Sequence, residues 1–463
     1  MRCVTSQIRN LIFAVALCCG APLQAQDGVS LTLPQARELA VLAVNDGNSA
    51  LAIRMARGLL KADPKDTLAH YILATAHTQT KRYGAGRRAA ARAFRFARTD
   101  GDRLRSAQLA ARLSYLEGRP TLAQLWLRRT ANYTSDAASD ARLARDYRAL
   151  RAQNPLSFSI RTGLRRSSNL NNGSSGVYNV IDGVIAPDYP FATQALSGMV
   201  ATLDGSVRYR LHATQTRQTV VSGRLFVQRV SLSDAAKATN PQARNSDYGA
   251  TYGELSLNHA FAVGPPEKRG TASVGITLGE SWYAKRRNFR LARLSADRNW
   301  RLSGTRQLQL NASVETRFDA RNAVNDARVL GLGMFYGARQ ENGNQLGLDF
   351  AFRDTQAASD NGTYRTASMR ASYALAKPVG PVKLSAAAGL EYARYPAFRL
   401  SGQIGPTRRS DQGYYGEFSA FFHTLDYAGF APSLRLRFGR RTSNFSQYTS
   451  RELSLSLGIQ SKF

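Results

Sequence analysis

The sequence predicts an α + β chain of two domains, with helical repeats first and an antiparallel transmembrane β-barrel of about 14 strands second. Before Pro155, apolar residues recur at the spacing of amphipathic helices. After Pro155, they alternate with polar residues at the period of two that extended strands require. The last segment, Leu453 to Phe463, alternates almost without fault and ends on an aromatic residue.

Residues 1–25 have the pattern of a secretory signal peptide. Arg2 and Arg9 begin it, an apolar run follows, and small residues precede Gln26. All cysteines lie in this segment (Cys3, Cys18 and Cys19), so the exported chain is expected to contain no disulfide. A lipid-modified Cys18 or Cys19 is the alternative, but a bulky residue precedes each of them.

The formal net charge is +31, and both halves of the chain are basic. Nucleic acid is the usual partner of so basic a protein. Behind an export signal, however, lipopolysaccharide phosphates, an anionic polymer or an acidic exported protein fit better. We therefore expect no nucleic-acid partner.

Residues 26–155 predict a helical domain. Its segments are separated by helix-stop signals such as Asp63-Pro64 and Tyr83-Gly84. The stretch from Leu59 to Phe94 resembles a tetratricopeptide repeat, and a second copy follows about 34 residues later. A plain helical bundle is the alternative. The predicted helices lie near 34–45, 49–62, 67–81, 85–97, 103–116, 121–130 and 137–152.

Stacked helical repeats form a concave groove that suits an extended segment or another protein. The candidate residues for a cargo-binding groove are Tyr71, Tyr83, Arg88, Arg92 and Arg95. The three arginines form one stripe along a helix, so a simple solvated face is the competing interpretation.

Residues 156–463 predict the barrel. In the segment 305–318, for example, Leu308, Leu310 and Val314 oppose polar neighbours. Strands of this kind are weak evidence singly and strong evidence in series. The predicted strands lie near 157–167, 198–212, 217–230, 249–263, 271–284, 287–300, 305–318, 327–340, 344–355, 362–376, 382–395, 411–425, 430–441 and 451–463.

The links between these strands alternate in length, as in outer-membrane barrels. Every second link is a short turn, whereas 167–195, 231–247 and 396–410 are long, and the link at 285–287 is an exception because it is short. An even strand count places both barrel ends and the helical domain in the periplasm. Phe463 resembles the C-terminal aromatic residue of bacterial outer-membrane barrels, which the barrel-assembly machinery recognises. A soluble β-sandwich is the alternative.

A charged side chain that faces lipid at the membrane midplane costs about 2–4 kcal/mol, so arginines on the polar strand face should line the lumen. The candidates are Arg208, Arg210, Arg224, Arg435 and Arg437. One interpretation is a pore or cradle that attracts anions. The other is a plug of ion pairs with the carboxylates of Asp204, Glu254, Glu315, Asp349 and Glu417.

We find no pattern that indicates an enzyme. His70 and His77 are seven residues apart on one helix, a spacing that fits packing better than metal binding. Phosphate-binding loops and nucleophile elbows are missing from the sequence. We expect no cofactor, no metal and no catalytic residue, although a barrel hydrolase is not excluded by sequence.

The combination of export signal, short repeat domain and barrel resembles the surface lipoprotein assembly modifier family, known as Slam. The segment 157–176 is similar to that family's first strand and first loop, whose motif residues here are Ser168, Asn169, Asn171 and Asn172. The chain has Ser167 where the family often has an acidic residue. The resemblance implies an outer-membrane translocon that delivers lipoproteins or related cargo proteins to the cell surface, without nucleotide or cofactor.

Two other functions stay open. Exporters of anionic polysaccharide also join periplasmic repeats to an outer-membrane barrel, although their repeat regions are typically longer. A general porin would have no need of the helical domain.

Overall fold

The computed structural model describes residues 31–134, 136–174, 179–181, 184–186, 194–399, 407–425 and 427–461. The predicted export signal and Phe463 lie outside the described residues. Within them, a set of helical hairpins precedes a closed antiparallel barrel of 14 strands. The predicted fold class is confirmed.

The helical domain consists of successive antiparallel hairpins. Odd-numbered helices begin at Leu33, Thr67 and Asp100, close to the period of a tetratricopeptide array. Asn48, Asp66 and Thr99 cap the following helices with side-chain oxygens. The helices are α1 Leu33–Asn45, α2 Ser49–Ala62, α3 Thr67–Gln79, α4 Tyr83–Phe96, α5 Asp100–Leu116, α6 Pro120–Thr130 and α7 Ala137–Gln153.

The turns inside the first three hairpins share one backbone conformation. Gly47, Lys81 and Gly118 all have φ between 58° and 77°, the left-handed region that closes a helix C-terminus. Small side chains then let the helices pack closely. The fully buried residues include Ala52, Ala69, Ala90 and Ala110, with Trp126 at the end of the stack.

The barrel uses strands β1 and β4 to β16, whereas β2 and β3 form a small hairpin in the first loop. A short helix, α8 (Asp234–Thr239), lies in the loop after β5. The strands are β1 Leu156–Ser167, β2 Asn179–Ile181, β3 Val184–Ala186, β4 Gly198–Ala213, β5 Arg217–Leu232, β6 Ala250–Val263, β7 Gly270–Tyr283, β8 Arg286–Arg301, β9 Arg306–Asp319, β10 Ala327–Arg339, β11 Gln345–Ala357, β12 Tyr364–Ala374, β13 Lys383–Phe398, β14 Thr407–Phe421, β15 Phe430–Ser443 and β16 Ser450–Ser461.

Large apolar side chains face outward on every part of the barrel wall. Leu255, Leu294, Leu390 and Leu453 are each about 60% exposed, from 59% to 68%. Such exposure is expected only where lipid replaces water around the wall. The barrel therefore spans a membrane. None of the helices among the described residues has the length and apolar character needed to cross one.

We call the end of the barrel next to the helical domain the proximal rim and the opposite end the distal rim. The proximal turns are short throughout, and two long loops, 168–197 and 233–249, lie at the distal rim. The third predicted long link is shorter than expected because β13 reaches Phe398 and β14 begins at Thr407. The short link near 285 is a two-residue turn in which Ala284 and Lys285 both have positive φ, as type I′ hairpins require.

Candidate functional site

The five predicted lumen arginines all lie on the inward register of their strands. Arg208 and Arg224 alternate with the exposed outward residues Val207 and Leu225. Arg435 and Arg437 flank Leu436, which is 39% exposed on the outer wall. The alternation that predicts the lumen face is thus reproduced in the barrel.

Carboxylates in the lumen are shared by several arginines. Asp204 accepts from Arg224 at 2.9 Å and from Arg161 at 3.5 Å. Glu417 lies 3.4 Å from Arg435, and Arg437 and Arg370 are each 3.8 Å away. Because each carboxylate faces two or three guanidinium groups, these clusters keep a net positive charge.

The predicted ion-pair network is therefore present, but it does not neutralise the lumen. Glu315, whose side chain is 5% exposed, is held between Arg293 and Arg317. Asp349 pairs with Arg370 at 3.8 Å. Glu254 accepts a hydrogen bond from the Tyr252 hydroxyl at 2.5 Å. The lumen combines internal compensation with a surplus of cations, which favours anionic groups inside it.

Arg208 and Arg210 lie where the helical domain meets the barrel. Both line a cavity of about 430 Å³ that is also bounded by Arg151 and Asn154. Arg210 donates from Nη2 to the carbonyl oxygen of Gln153 at 2.9 Å. This junction cavity therefore carries three arginine side chains at the proximal rim.

The first-loop motif ties the loop to the barrel wall. Ser168 exchanges two hydrogen bonds with Leu453 of the last strand, through its backbone N–H at 3.3 Å and its Oγ at 3.1 Å. Asn169 bonds both the N–H and the carbonyl oxygen of Gly173 at 2.8 Å. Asn171 bonds the backbone of Gln194 and Leu196 across the loop. These residues shape the loop rather than present free ligating groups.

Asn172 has φ 53° and lines a small cavity of about 70 Å³ with Asn169 at the distal end of the lumen. The cavity wall also contains Glu391, Tyr415, Arg437 and Glu452. The start of the first loop, at Asn169 and Asn172, therefore lies against lumen-facing residues of the barrel.

The closing seam, between β1 and β16, is the shortest of the strand pairs that form the barrel. Six residues of each strand are in register, from Thr162↔Ile459 to Ser167↔Ser454, whereas the other barrel pairs have 10 to 15. Arg165 and Glu452 form an ion pair across it. Ser168 closes its distal end. The seam is thus fastened mainly near the distal rim.

An aromatic cluster at the distal end of the lumen was not predicted. Arg409, 7% exposed, forms two hydrogen bonds to the Asp411 carboxylate at 3.0 and 2.6 Å. Its guanidinium carbon lies 3.2 Å from the centroid of the Tyr448 ring and 4.3 Å from that of Tyr395. Burial raises the pKa of the Tyr448 hydroxyl, which lies in the loop after β15. The cluster narrows the lumen on this side.

The predicted cargo-groove residues differ in how exposed they are. Tyr71 is half-buried on α3, and Tyr83 packs against the core formed by α4, α5 and α6. Arg88, Arg92 and Arg95 are exposed along α4. Their assignment to a groove stays a prediction.

A different groove lies at the C-terminal end of the helical domain. It has a volume of about 640 Å³ and is formed by α5, α6 and α7. Leu104, Tyr115 and Leu143 supply apolar lining, and Arg112 and Arg142 supply charge. None of the five predicted residues lines it. Leu104 has the same position in α5 as Tyr71 has in α3. The face of the helix that lines the groove was therefore recognisable from the sequence.

His70 and His77 are buried in the helical domain. His70 stacks on Phe96 with ring centroids 5.7 Å apart, and its Nε2 lies 3.0 Å from the carbonyl oxygen of Pro64. Burial lowers the pKa of both imidazoles. The residues that the structure describes contain no group of three metal-ligating side chains.

One buried arginine joins the two domains. Arg128 of α6 donates to the Tyr147 hydroxyl at 3.0 Å and to Ser461 Oγ of β16 at 2.9 Å. Its guanidinium also lies 4.6 Å from the centroid of the Phe430 ring at the start of β15. Nearby, Asn132 Oδ1 accepts from the backbone N–H of Ala428 at 2.5 Å. The helical domain is thus held against the proximal rim.

A closed antiparallel barrel with an apolar outer wall and a charged lumen defines an outer-membrane β-barrel protein. The family model for the surface lipoprotein assembly modifier matches residues 242–462, which cover most of the barrel. Over that range the chain matches the family model, so the predicted resemblance is confirmed. The match begins after the segment 157–176 on which the prediction was based.

Comparison with solved structures found matches to each part of the chain at low sequence identity. OccAB3 of Acinetobacter baumannii is 10% identical, covers 65% of this chain and 98% of its own, and has a TM-score of 0.32. OccK2 of Pseudomonas aeruginosa, solved with glucuronate, is 12% identical, with 66% and 99% coverage and a TM-score of 0.33. The N-terminal domain of stress-induced protein-1 from C. elegans is 14% identical, with 26% and 94% coverage and a TM-score of 0.24. No curated protein matches the chain.

Proposed function

We propose that this chain is an outer-membrane translocon that delivers lipoproteins or related cargo proteins to the cell surface. The family match over residues 242–462 is the observation that carries the proposal. In this proposal the helical domain lies in the periplasm and binds cargo, and the barrel provides the path. The barrel-assembly machinery inserts the chain into the outer membrane, and no cofactor takes part.

Two features of the molecule support this arrangement. The helical domain lies directly against the proximal rim, where Arg128 and Asn132 contact β16 and the turn before β15. The groove formed by α5, α6 and α7 belongs to the same end of the domain. Cargo bound there would be next to the junction cavity lined by Arg208 and Arg210.

The surplus of arginine in the lumen gives one alternative a specific basis. A cationic path also suits an anionic polysaccharide, which would cross through a series of phosphate- or carboxylate-binding positions. The two functions differ in what is lost from the cell surface when the chain is removed.

The test compares the surface proteome and the capsule of cells with and without the gene. Loss of one or a few surface-exposed lipidated proteins, with normal capsule staining, is the expected result. Loss of polymer with an unchanged surface proteome would replace the proposal with the exporter. A chain without residues 31–153 tests the porin alternative. Unchanged small-solute flux would favour a porin, whereas loss of cargo display would favour the translocon.

A further inference from the structure

Exposed arginines lie on the outward face of the barrel near the distal rim. Their register follows from their neighbours: Arg440 is two residues from Phe438 and Arg451 two residues from Leu453, both exposed on the membrane face at 44% and 59%. The outward set includes Arg166, Arg229, Arg290, Arg328, Arg365, Arg394, Arg408, Arg440 and Arg451.

Two pairs of these arginines lie directly opposite each other on adjacent strands. Arg365 is in register with Arg394 on β12 and β13, and Arg440 is in register with Arg451 on β15 and β16. Like charges at directly opposite positions destabilise a sheet. The barrel therefore keeps two unfavourable pairs on the same face and at the same end.

The protein compensates only part of this charge. Arg365 pairs with Asp354 at 3.2 Å. Among the residues that the structure describes, Arg394, Arg440 and Arg451 have no carboxylate within ion-pair distance. Arg408, close to Arg394 on the next strand, also has none there. These sites keep a positive charge that an anion from outside the chain can balance.

The position of the arginines identifies the chemistry of that anion. They face the membrane, not the lumen, and exposed apolar side chains such as Leu390 and Tyr392 continue below them on the same wall. A ligand there must contact hydrocarbon and guanidinium groups together. Arginine is the side chain best suited to phosphate, through paired N–H donors.

We propose that the distal rim binds a phosphorylated glycolipid of the outer leaflet at two sites. The first site is formed by Arg365, Arg394 and Arg408 and the second by Arg440 and Arg451. Lipid phosphates bind between the opposed guanidinium groups, and the acyl chains lie along the apolar wall. The assignment of this rim to the outer leaflet rests on the proposed function, which places the helical domain in the periplasm.

The experiment measures binding of purified full-length protein in detergent to lipid A that carries two phosphates. The variants are Arg440→Gln/Arg451→Gln and Arg365→Gln/Arg394→Gln. The matched control is Arg217→Gln/Arg353→Gln, which removes the same charge from one outward position at the proximal rim and one lumen position. Heat-modifiable mobility on gels verifies that each variant has a folded barrel.

In each rim variant the altered site should bind lipid A about 30-fold more weakly, so that one tight site remains instead of two, and the control should bind as the parent does. Dephosphorylated lipid A should bind all four proteins equally weakly. Unchanged affinity in both rim variants, or an equal loss in the control, would overturn the proposal. The assay contains no cargo, so a negative result for lipid A binding would not contradict the translocon proposal. If the surface-proteome test contradicts the translocon proposal, lipid A binding can still be measured.

Discussion

Replacement of Arg128 by methionine should release the helical domain from the barrel. Methionine keeps much of the apolar volume of the side chain and removes the guanidinium. Across the domain junction, the contacts of the guanidinium with the described residues include a hydrogen bond to Ser461 and a ring contact with Phe430. A hydrogen bond to a charged group contributes about 1.5–3 kcal/mol and a desolvated cation–π contact about 0.5–2 kcal/mol.

These contributions total about 3 kcal/mol, which corresponds to roughly a 100-fold increase in the population of the undocked state. The amide of Ala428 reports on that state directly, since its N–H bonds Asn132 across the same junction. Hydrogen exchange at Ala428 should therefore accelerate by a similar factor in the full-length variant.

Arg129→Met is the matched control. Arg129 is the next residue and lies 4.6 Å from the Trp126 ring within the helical domain. It should leave exchange at Ala428 nearly unchanged. If Arg128→Met changes that exchange less than about threefold, or no more than Arg129→Met does, Arg128 does not hold the domains together.

Three further predictions concern stability. Gly86→Ala should destabilise the helical domain by about 1–3 kcal/mol, because the added Cβ would lie 3.0 Å from the Ala74 carbonyl oxygen and 3.2 Å from Leu113. Gly58→Ala should stabilise the domain by up to about 1 kcal/mol, because no atom lies within 4 Å of the added Cβ. Circular dichroism melts of the full chain compare the two variants. The helical domain should lose stability as the pH falls below about 6.5, because burial lowers the pKa of His70 and His77 and the unfolded chain then binds more protons than the folded one. Amide hydrogen exchange in α3, measured at about pH 8 and about pH 5.5, reports this loss. The double variant His70→Phe/His77→Leu should show a weaker dependence of exchange on pH. Glu452→Gln should lower the temperature at which the barrel unfolds in detergent more than Glu391→Gln does. Glu452 stabilises the seam of six residue pairs, whereas Glu391 pairs with Arg441 at 3.7 Å where the strands are paired over a greater length. Equal shifts in the two variants would contradict a special role of the seam.

Periodicity predicted most of the fold because each long element carries several repeats of its own pattern. Strand β9 alternates over its whole length, and α2 begins after a capping asparagine, so both were recognisable. The three-residue strands β2 and β3 and the short helix α8 were missed. Such elements contain too few residues to show a period.

The candidate sites were less predictable because they depend on which elements become neighbours. Alternation showed that Arg437 faces the lumen, but only the strand register brings it to Glu417. Arg409 meets Tyr448 through a loop that carries no periodic signal. Arg128 contacts Ser461, more than 300 residues later in the chain, and no local pattern indicates that contact.

The connection between the domains restricts how they can move. Helix α7 ends at Gln153 and β1 begins at Leu156, so the tether consists of Asn154 and Pro155. Two extended residues span roughly 7 Å, far less than the width of the barrel. Even when the contacts between the domains are broken, the C-terminal end of α7 stays close to the start of β1. The helical domain therefore stays next to the proximal opening of the barrel whether or not it is docked on the rim.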